Sequence, residues 1–233
     1  EGIDVRTGVT VESVHHDGDR FTVSIRGGPP VLADRLLVAT GRHPDLAQLN
    51  VASIGMDDSA RELPVDDHLR VRGVEGLWAV GDVTGKGPFT HVSMYQAEIV
   101  INDILGNPVV PADYRAVPRV TFTDPEIGSV GLSEQEARDQ GLNVRVGTAE
   151  VPTSTRGWIH KAGNRGFIKV VEDADRGVLV GAVSVGPWGG EVLGLLTLAI
   201  HAEVATSRLA HMIYAYPTFH RAVESAVKDL GSH

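Results

Sequence analysis

The segment Leu77-Trp78-Ala79-Val80-Gly81-Asp82 constrains the fold of this chain more than any other. A short apolar run ends in Gly-Asp, a Gly/Pro-rich loop follows, and Val92, Gln96, Ile99, Val100 and Leu105 then recur at helical spacing across residues 92–105. The pattern predicts strand, loop and helix. That order puts a carboxylate at the carboxyl end of a strand, where open α/β sheets bind ligands. Gly81 lets a ligand approach the backbone, and Asp82 can accept hydrogen bonds from hydroxyl groups. A strand that simply ends in a turn uses the same two residues.

Upstream, β-branched residues alternate through residues 5–14 and 20–26 on either side of His16-Asp17-Gly18-Asp19, which predicts a hairpin. Gly27-Gly28-Pro29-Pro30 interrupts the pattern, and Arg35-Leu36-Leu37-Val38-Ala39 reads as a short buried strand ending at Thr40-Gly41. Downstream, Pro108, Pro111 and Pro118 mark a linker. Two short strands are expected around Asp124-Pro125-Glu126, then a helix to Gln140 opened by a capping box from Ser133 to Glu136. Strands at 143–150, 166–172 and 178–185 and helices at 188–203, 206–213 and 217–230 complete the pattern. Strands first and helices later predict a separate α+β domain from about residue 113.

Composition excludes several chemistries. None of the 233 residues is cysteine, so this chain has no disulfide framework, thiol nucleophile or Cys-based zinc site. Thirty acidic against 21 basic side chains give a formal charge of −9, which argues against a nucleic-acid partner. The most apolar stretch, Val192 to Ile200, is nine residues long, and a membrane span needs about 20. No histidine pair has metal-ligand spacing, so no metal site is expected, and no G-x-S-x-G elbow supports hydrolysis. The start, Glu1-Gly2-Ile3-Asp4, has no initiator Met and no signal-peptide pattern. A cytoplasmic protein whose chain begins partway into something larger is expected.

Three motifs, in this order, carry a family likeness: Ala39-Thr40-Gly41-Arg42-His43-Pro44-Asp45, Gly81-Asp82-Val83-Thr84-Gly85, and Thr121-Phe122-Thr123-Asp124-Pro125-Glu126-Ile127-Gly128-Ser129-Val130-Gly131. The chain resembles, over essentially its whole length, the class I pyridine nucleotide-disulfide oxidoreductases, flavoenzymes related to dihydrolipoamide dehydrogenase, glutathione reductase and mercuric reductase. The resemblance implies an α/β plus α+β fold. A partial nucleotide-binding, Rossmann-like FAD/NAD(P) domain would be followed by an α+β dimerisation domain. Residues 1–40 would be the last strands of the NAD(P) domain, 41–112 the second half of the FAD domain, and 113–233 the dimerisation domain of a homodimer. It also implies FAD binding by Thr40, Gly41, Gly81 and Asp82, with the Asp82 carboxylate on the ribityl chain. Phe89, Thr90 and His91 would occupy the loop and helix beneath the flavin and offer backbone donors to it. His91 can be read as a catalytic imidazole, but the resemblance favours a positional role through its backbone.

The last likeness lies in Tyr214-Ala215-Tyr216-Pro217-Thr218-Phe219-His220-Arg221. Disulfide-reducing relatives have His-Pro-Thr-x-x-Glu here, with the His reaching the partner subunit's flavin; Tyr216 and Arg221 replace both members of that pair. A phenol of pKa near 10 is a poor base at neutral pH but a competent hydrogen-bond donor. Tyr216 is therefore a candidate to complete the partner's active site. His220, expected four residues along the same helix face, is the candidate to replace the lost base; a packed or solvent-facing histidine is the other reading. By resemblance Tyr216-Pro217 is also a candidate cis bond. Mercuric reductases share a Tyr near this site but depend on a cysteine pair near their C-terminus, which argues against mercury as substrate here.

The expected function is a C-terminal portion of an FAD-dependent NAD(P)H oxidoreductase. The parent would pass a hydride from nicotinamide through flavin to a small-molecule electron acceptor. No G-x-G-x-x-G fingerprint occurs, so the isolated chain is expected to bind FAD poorly and to be inactive. The alternative is a non-catalytic, standalone dimerisation or interaction module.

Overall fold

The computed structural model describes residues 2–231 as two compact units, one ending at His43 and one beginning at Pro44. The first unit is a three-stranded antiparallel sheet of β1 (Val11–His16), β2 (Phe21–Ile25) and β3 (Val31–Ala33), in that spatial order. The expected hairpin is present, with His16 paired to Phe21. The Asp17 carboxylate closes its turn by accepting the N–H groups of Asp19 and Arg20 at 2.9 Å each, and these bonds hold its pKa below the usual carboxylate range.

Residues 35–39 depart from expectation. They form no strand, and Leu37 is 89% exposed. A continuous apolar run becomes a buried strand only between neighbours on both sides, and no described residue pairs with this one.

In the second unit, residues 77–80 run extended but make only an isolated antiparallel bridge, Arg70 to Trp78, with Val71 N–H bonded to Leu77 O and Ala79 N–H to Leu69 O. The predicted strand is thus a one-sided ladder, too short to count as a sheet. A small core of Leu46, Val51, Leu63, Val71 and Ala79 supports it. Helix α1 spans Thr90–Ile104 and buries Val92, Gln96 and Ile99 of the predicted stripe, while Val100 is half-buried and Leu105, just past the helix, is exposed.

The rest of the unit is a five-stranded antiparallel sheet in the order β4-β5-β8-β7-β6, made of β4 (Pro118–Thr121), β5 (Glu126–Gly131), β6 (Val144–Glu150), β7 (Phe167–Asp173) and β8 (Val178–Gly186). Ser133 and Glu136 form the capping box of α2 (Glu134–Asp139) as read from sequence. The short α3 (Thr155–His160) was not anticipated. Three further helices follow: α4 (Gly189–His201), α5 (Thr206–His211) and α6 (Arg221–Asp229). Helix α6 begins four residues later than the pattern suggested, because the first helical-type bonds are Arg221 N–H to Thr218 O and Ala222 N–H to Phe219 O.

The main core lies between this sheet and helices α4 and α6, with Ile168, Val170 and Leu179 facing Leu193, Leu196, Val223 and Ala226. Each such aliphatic side chain contributes about 1.5–3 kcal/mol by leaving water. α4 packs its apolar face on its own sheet and leaves Leu198 outward. α6 sits so close to β6 that a Cβ on Gly147 would lie 2.0 Å from the Ala226 carbonyl oxygen, so only glycine fits there.

Candidate functional site

Gly81–Thr84 folds as one 3₁₀ turn directly after the extended segment. Gly81 has φ +81, and a Cβ there would meet Ser93 Oγ at 3.0 Å, so the turn requires glycine for conformation and for space. Beneath it lies the Gln96 carboxamide, 0% exposed. Its Oε1 accepts the Gly81 N–H at 2.6 Å, and its Nε2 donates to Thr84 Oγ1 at 3.0 Å and to Tyr114 Oη at 2.9 Å. Thr84 in turn donates to the Gly81 carbonyl at 2.8 Å. Burial pushes the Tyr114 phenol upward, and the bond from Gln96 partly offsets it. The turn that carries Asp82, itself half-buried, is thus held from below by a buried amide.

A second network fixes the approach to the turn. The Asp103 carboxylate, near the end of α1, accepts from Arg70 Nε at 2.7 Å and from Trp78 Nε1 at 2.8 Å, with His68 Nδ1 at 3.2 Å. The Arg70 guanidinium, with the Trp78 indole, holds the Asp103 carboxyl far below the usual range. Sequence reading placed neither network. The available signal was Gln96, a polar residue on an otherwise apolar helix stripe.

The loop after the turn delivers Phe89, Thr90 and His91 to the start of α1. Phe89 occupies the N-cap position without a side-chain cap bond, and the first helical N–H groups, those of Thr90 and His91, have no partner within the helix. The Phe89 and His91 rings stack at 5.2 Å. His91 Nε2 donates to the Pro118 carbonyl at 2.9 Å, so its side chain ties this helix start to β4. Thr40 and Gly41 lie in the first unit, both exposed, with Gly41 at φ +100.

Around α3 and α6, Tyr216 is 64% exposed and donates from Oη to Thr155 Oγ1 at 3.1 Å; the Arg221 guanidinium lies 5.6 Å from its ring centre. Tyr216-Pro217 is cis, as expected. His220 occupies the N-cap position of α6, half-buried and without a side-chain cap bond. It is not on a helix shared with Tyr216, because residues 216–220 precede α6. The structure joins Tyr216 to Thr155 and Arg221 rather than to His220.

With this geometry in place, the chain can be compared with known proteins. A family model described as pyridine nucleotide-disulphide oxidoreductase matches residues 1–97, and one described as the dimerisation domain of the same enzymes matches residues 117–227. The chain belongs to the pyridine nucleotide-disulphide oxidoreductase family. A dihydrolipoyl dehydrogenase of Mycobacterium leprae is 33% identical over all of this chain and 50% of its own length, and a mercuric reductase of Bacillus cereus is 31% identical over 97% of this chain and 36% of its own. Among solved structures, LpdA of Mycobacterium tuberculosis superposes with a TM-score of 0.84 at 26% identity, covering 98% of this chain and 50% of LpdA. The chain therefore spans about half the length of such relatives. The family's α/β nucleotide-binding part and its α+β dimerisation part are both represented, in the expected order. Among the described residues, no helix is long and apolar enough to cross a membrane.

Proposed function

We propose that this chain is the C-terminal portion of an FAD-dependent NAD(P)H oxidoreductase that passes a hydride from nicotinamide through flavin to a small-molecule acceptor. The observation that carries the reading is the Gly81–Asp82 turn, held by Gln96 and followed, after a five-residue loop, by the start of α1. These residues fit a flavin dinucleotide. Gly81 keeps the backbone clear of any Cβ, Asp82 offers a carboxylate to ribityl hydroxyls, and the first-turn N–H groups of Thr90 and His91, without partners inside the helix, suit the electron-rich edge of a ring. A bound flavin would supply two-electron, hydride-accepting chemistry that no side chain of this sequence provides. Thr40 and Gly41 are assigned to the same cofactor from the motif alone.

The domain assignment extends this reading, with residues 1–40 closing an NAD(P) domain, 41–112 completing an FAD domain and 113–233 forming a homodimer interface. The dimer is supported by the dimerisation-domain match and by large apolar side chains left exposed within it, including Trp158, Trp188 and Leu198, with Ile213 at 98% exposure. Tyr216, exposed in the same region, is proposed to face the partner's acceptor site as a hydrogen-bond or proton donor rather than a base. His220 is proposed to assist from the start of α6.

In the full-length protein, Asp82→Ala should lose most of its flavin absorbance on gel filtration, while Asp82→Asn retains part of it. Full flavin content in Asp82→Ala would refute the assignment. Tyr216→Phe should lower turnover more than flavin content, and unchanged turnover in both Tyr216→Phe and His220→Ala would remove these residues from the reaction.

A further inference from the structure

Between α3 and the start of α6 lies a cavity of about 200 Å³ whose lining includes Thr155, Arg156, Tyr216, Thr218, Arg221 and Ser225 and no carboxylate. In a chain of formal charge −9, a concavity with two arginines and no acid is a local reversal of sign. The donors left over define what it can hold. Tyr216 donates to Thr155 Oγ1, so the Thr155 hydroxyl proton is available to another acceptor. Thr218 donates to the Ala215 carbonyl, and the Ser225 hydroxyl has no partner among the described residues. Arg156 stacks over Phe219 at 5.5 Å and forms no ion pair among the described residues. Arg221 Nη1 pairs with Glu224 at 2.8 Å, but Glu224 also holds Lys228 at 2.6 Å, so the triad keeps one net positive charge.

The Arg156 guanidinium, the Arg221 guanidinium that shares Glu224 with Lys228, and the Thr155 and Ser225 hydroxyls line one space of about 200 Å³ and are complementary to a compact oxyanion. We propose that this cavity binds the carboxylate or phosphate group of an anionic electron acceptor. The inference rests on the reading that Tyr216 faces the acceptor. Tyr216 lines the same cavity, next to the acceptor's anionic anchor, and Arg221 contributes attraction from the position where disulfide-reducing relatives carry an acid.

The test uses the full-length flavoprotein and isothermal titration calorimetry with inorganic phosphate, succinate and, as a neutral control, glycerol. At least one anion should bind and glycerol should not; tighter phosphate or tighter succinate would name the head group. Arg156→Gln and Arg221→Gln should each weaken binding by about tenfold or more, and Arg221→Glu should abolish it. Arg138→Gln, on α2 outside the cavity, should leave it unchanged. Circular dichroism of each variant separates lost binding from lost fold. Turnover with a naphthoquinone and with its sulfonate supplies the second readout: Arg221→Glu should cut the kcat/KM ratio of sulfonate to parent quinone by about tenfold or more. No anion binding by the native protein, affinity unchanged in Arg221→Glu, or an unchanged quinone ratio would overturn the inference. Flavin reduction by NAD(P)H in the same preparations keeps the two readings apart. Reduction without anion binding removes the cavity assignment alone, and anion binding without reduction removes the redox reading and with it the acceptor.

Discussion

Replacing Gln96 should loosen the Gly81–Asp82 turn by an amount that the structure fixes. In Gln96→Ala the Gly81 N–H loses its 2.6 Å acceptor in a fully buried site. An unsatisfied buried donor costs about 1–3 kcal/mol. The Thr84 hydroxyl keeps its bond to the Gly81 carbonyl, and the half-buried Tyr114 can turn to water, so these two partners add little. Loss of the side-chain methylene adds about 1 kcal/mol, for a total of about 2–4 kcal/mol. Gln96→Met keeps the packing and removes only the bonds, so it should retain about 1–3 kcal/mol of that loss. Urea unfolding followed by tryptophan fluorescence reads the stability. Amide exchange at Gly81, protected in the native chain and fast in Gln96→Met, reads the local effect. A Gln96→Met variant within about 0.5 kcal/mol of the native chain, with Gly81 still protected, would show that the carboxamide does not hold the turn.

Gly147→Ala should push α6 off β6 and lower stability by about 3 kcal/mol, seen as a fall in Tm; an unchanged Tm would mean that α6 is not seated as described. The Asp103 pKa is lowered in the folded state, so its stabilisation is complete above the unfolded value of about 4 and fades as pH falls toward the lower folded value. The gap in urea midpoint between the native chain and Asp103→Asn should therefore be full at pH 7 and shrink below about pH 4; a gap independent of pH would contradict the network. Ser133→Ala removes one arm of the capping box on α2 and should cost about 1 kcal/mol, measured in the same denaturant titration.

What the sequence made legible was local. The Ser133/Glu136 box, the Asp17-Gly18 turn and the strands read at 143–150, 166–172 and 178–185 each depend on residues within a few positions of one another, and each appears close to where it was read. Residues 35–39 and 77–80 failed because an apolar run states that it needs neighbours without stating which segments supply them. α3 stayed hidden because it has only six residues and a glycine among them. At the site, the motif placed Gly81 and Asp82, but their support by Gln96 and the bracing of Trp78 by Asp103 link residues 15 and 25 positions apart, a distance at which no periodicity speaks. His220 was misplaced for a related reason, since a helix whose start is misjudged by four residues assigns its first side chains to a shared face that does not exist.

The Gln96 carboxamide also sets an order of events during synthesis. Its bonds reach back 15 residues to Gly81 and forward 18 to Tyr114. When the ribosome has delivered only the turn, the Gly81 N–H has no buried partner, and even a completed α1 leaves one amide proton waiting for a phenol not yet made. The Gly81 N–H can be satisfied once α1 is complete, and the Gln96 amide gains its last partner only when the linker carrying Tyr114 has emerged.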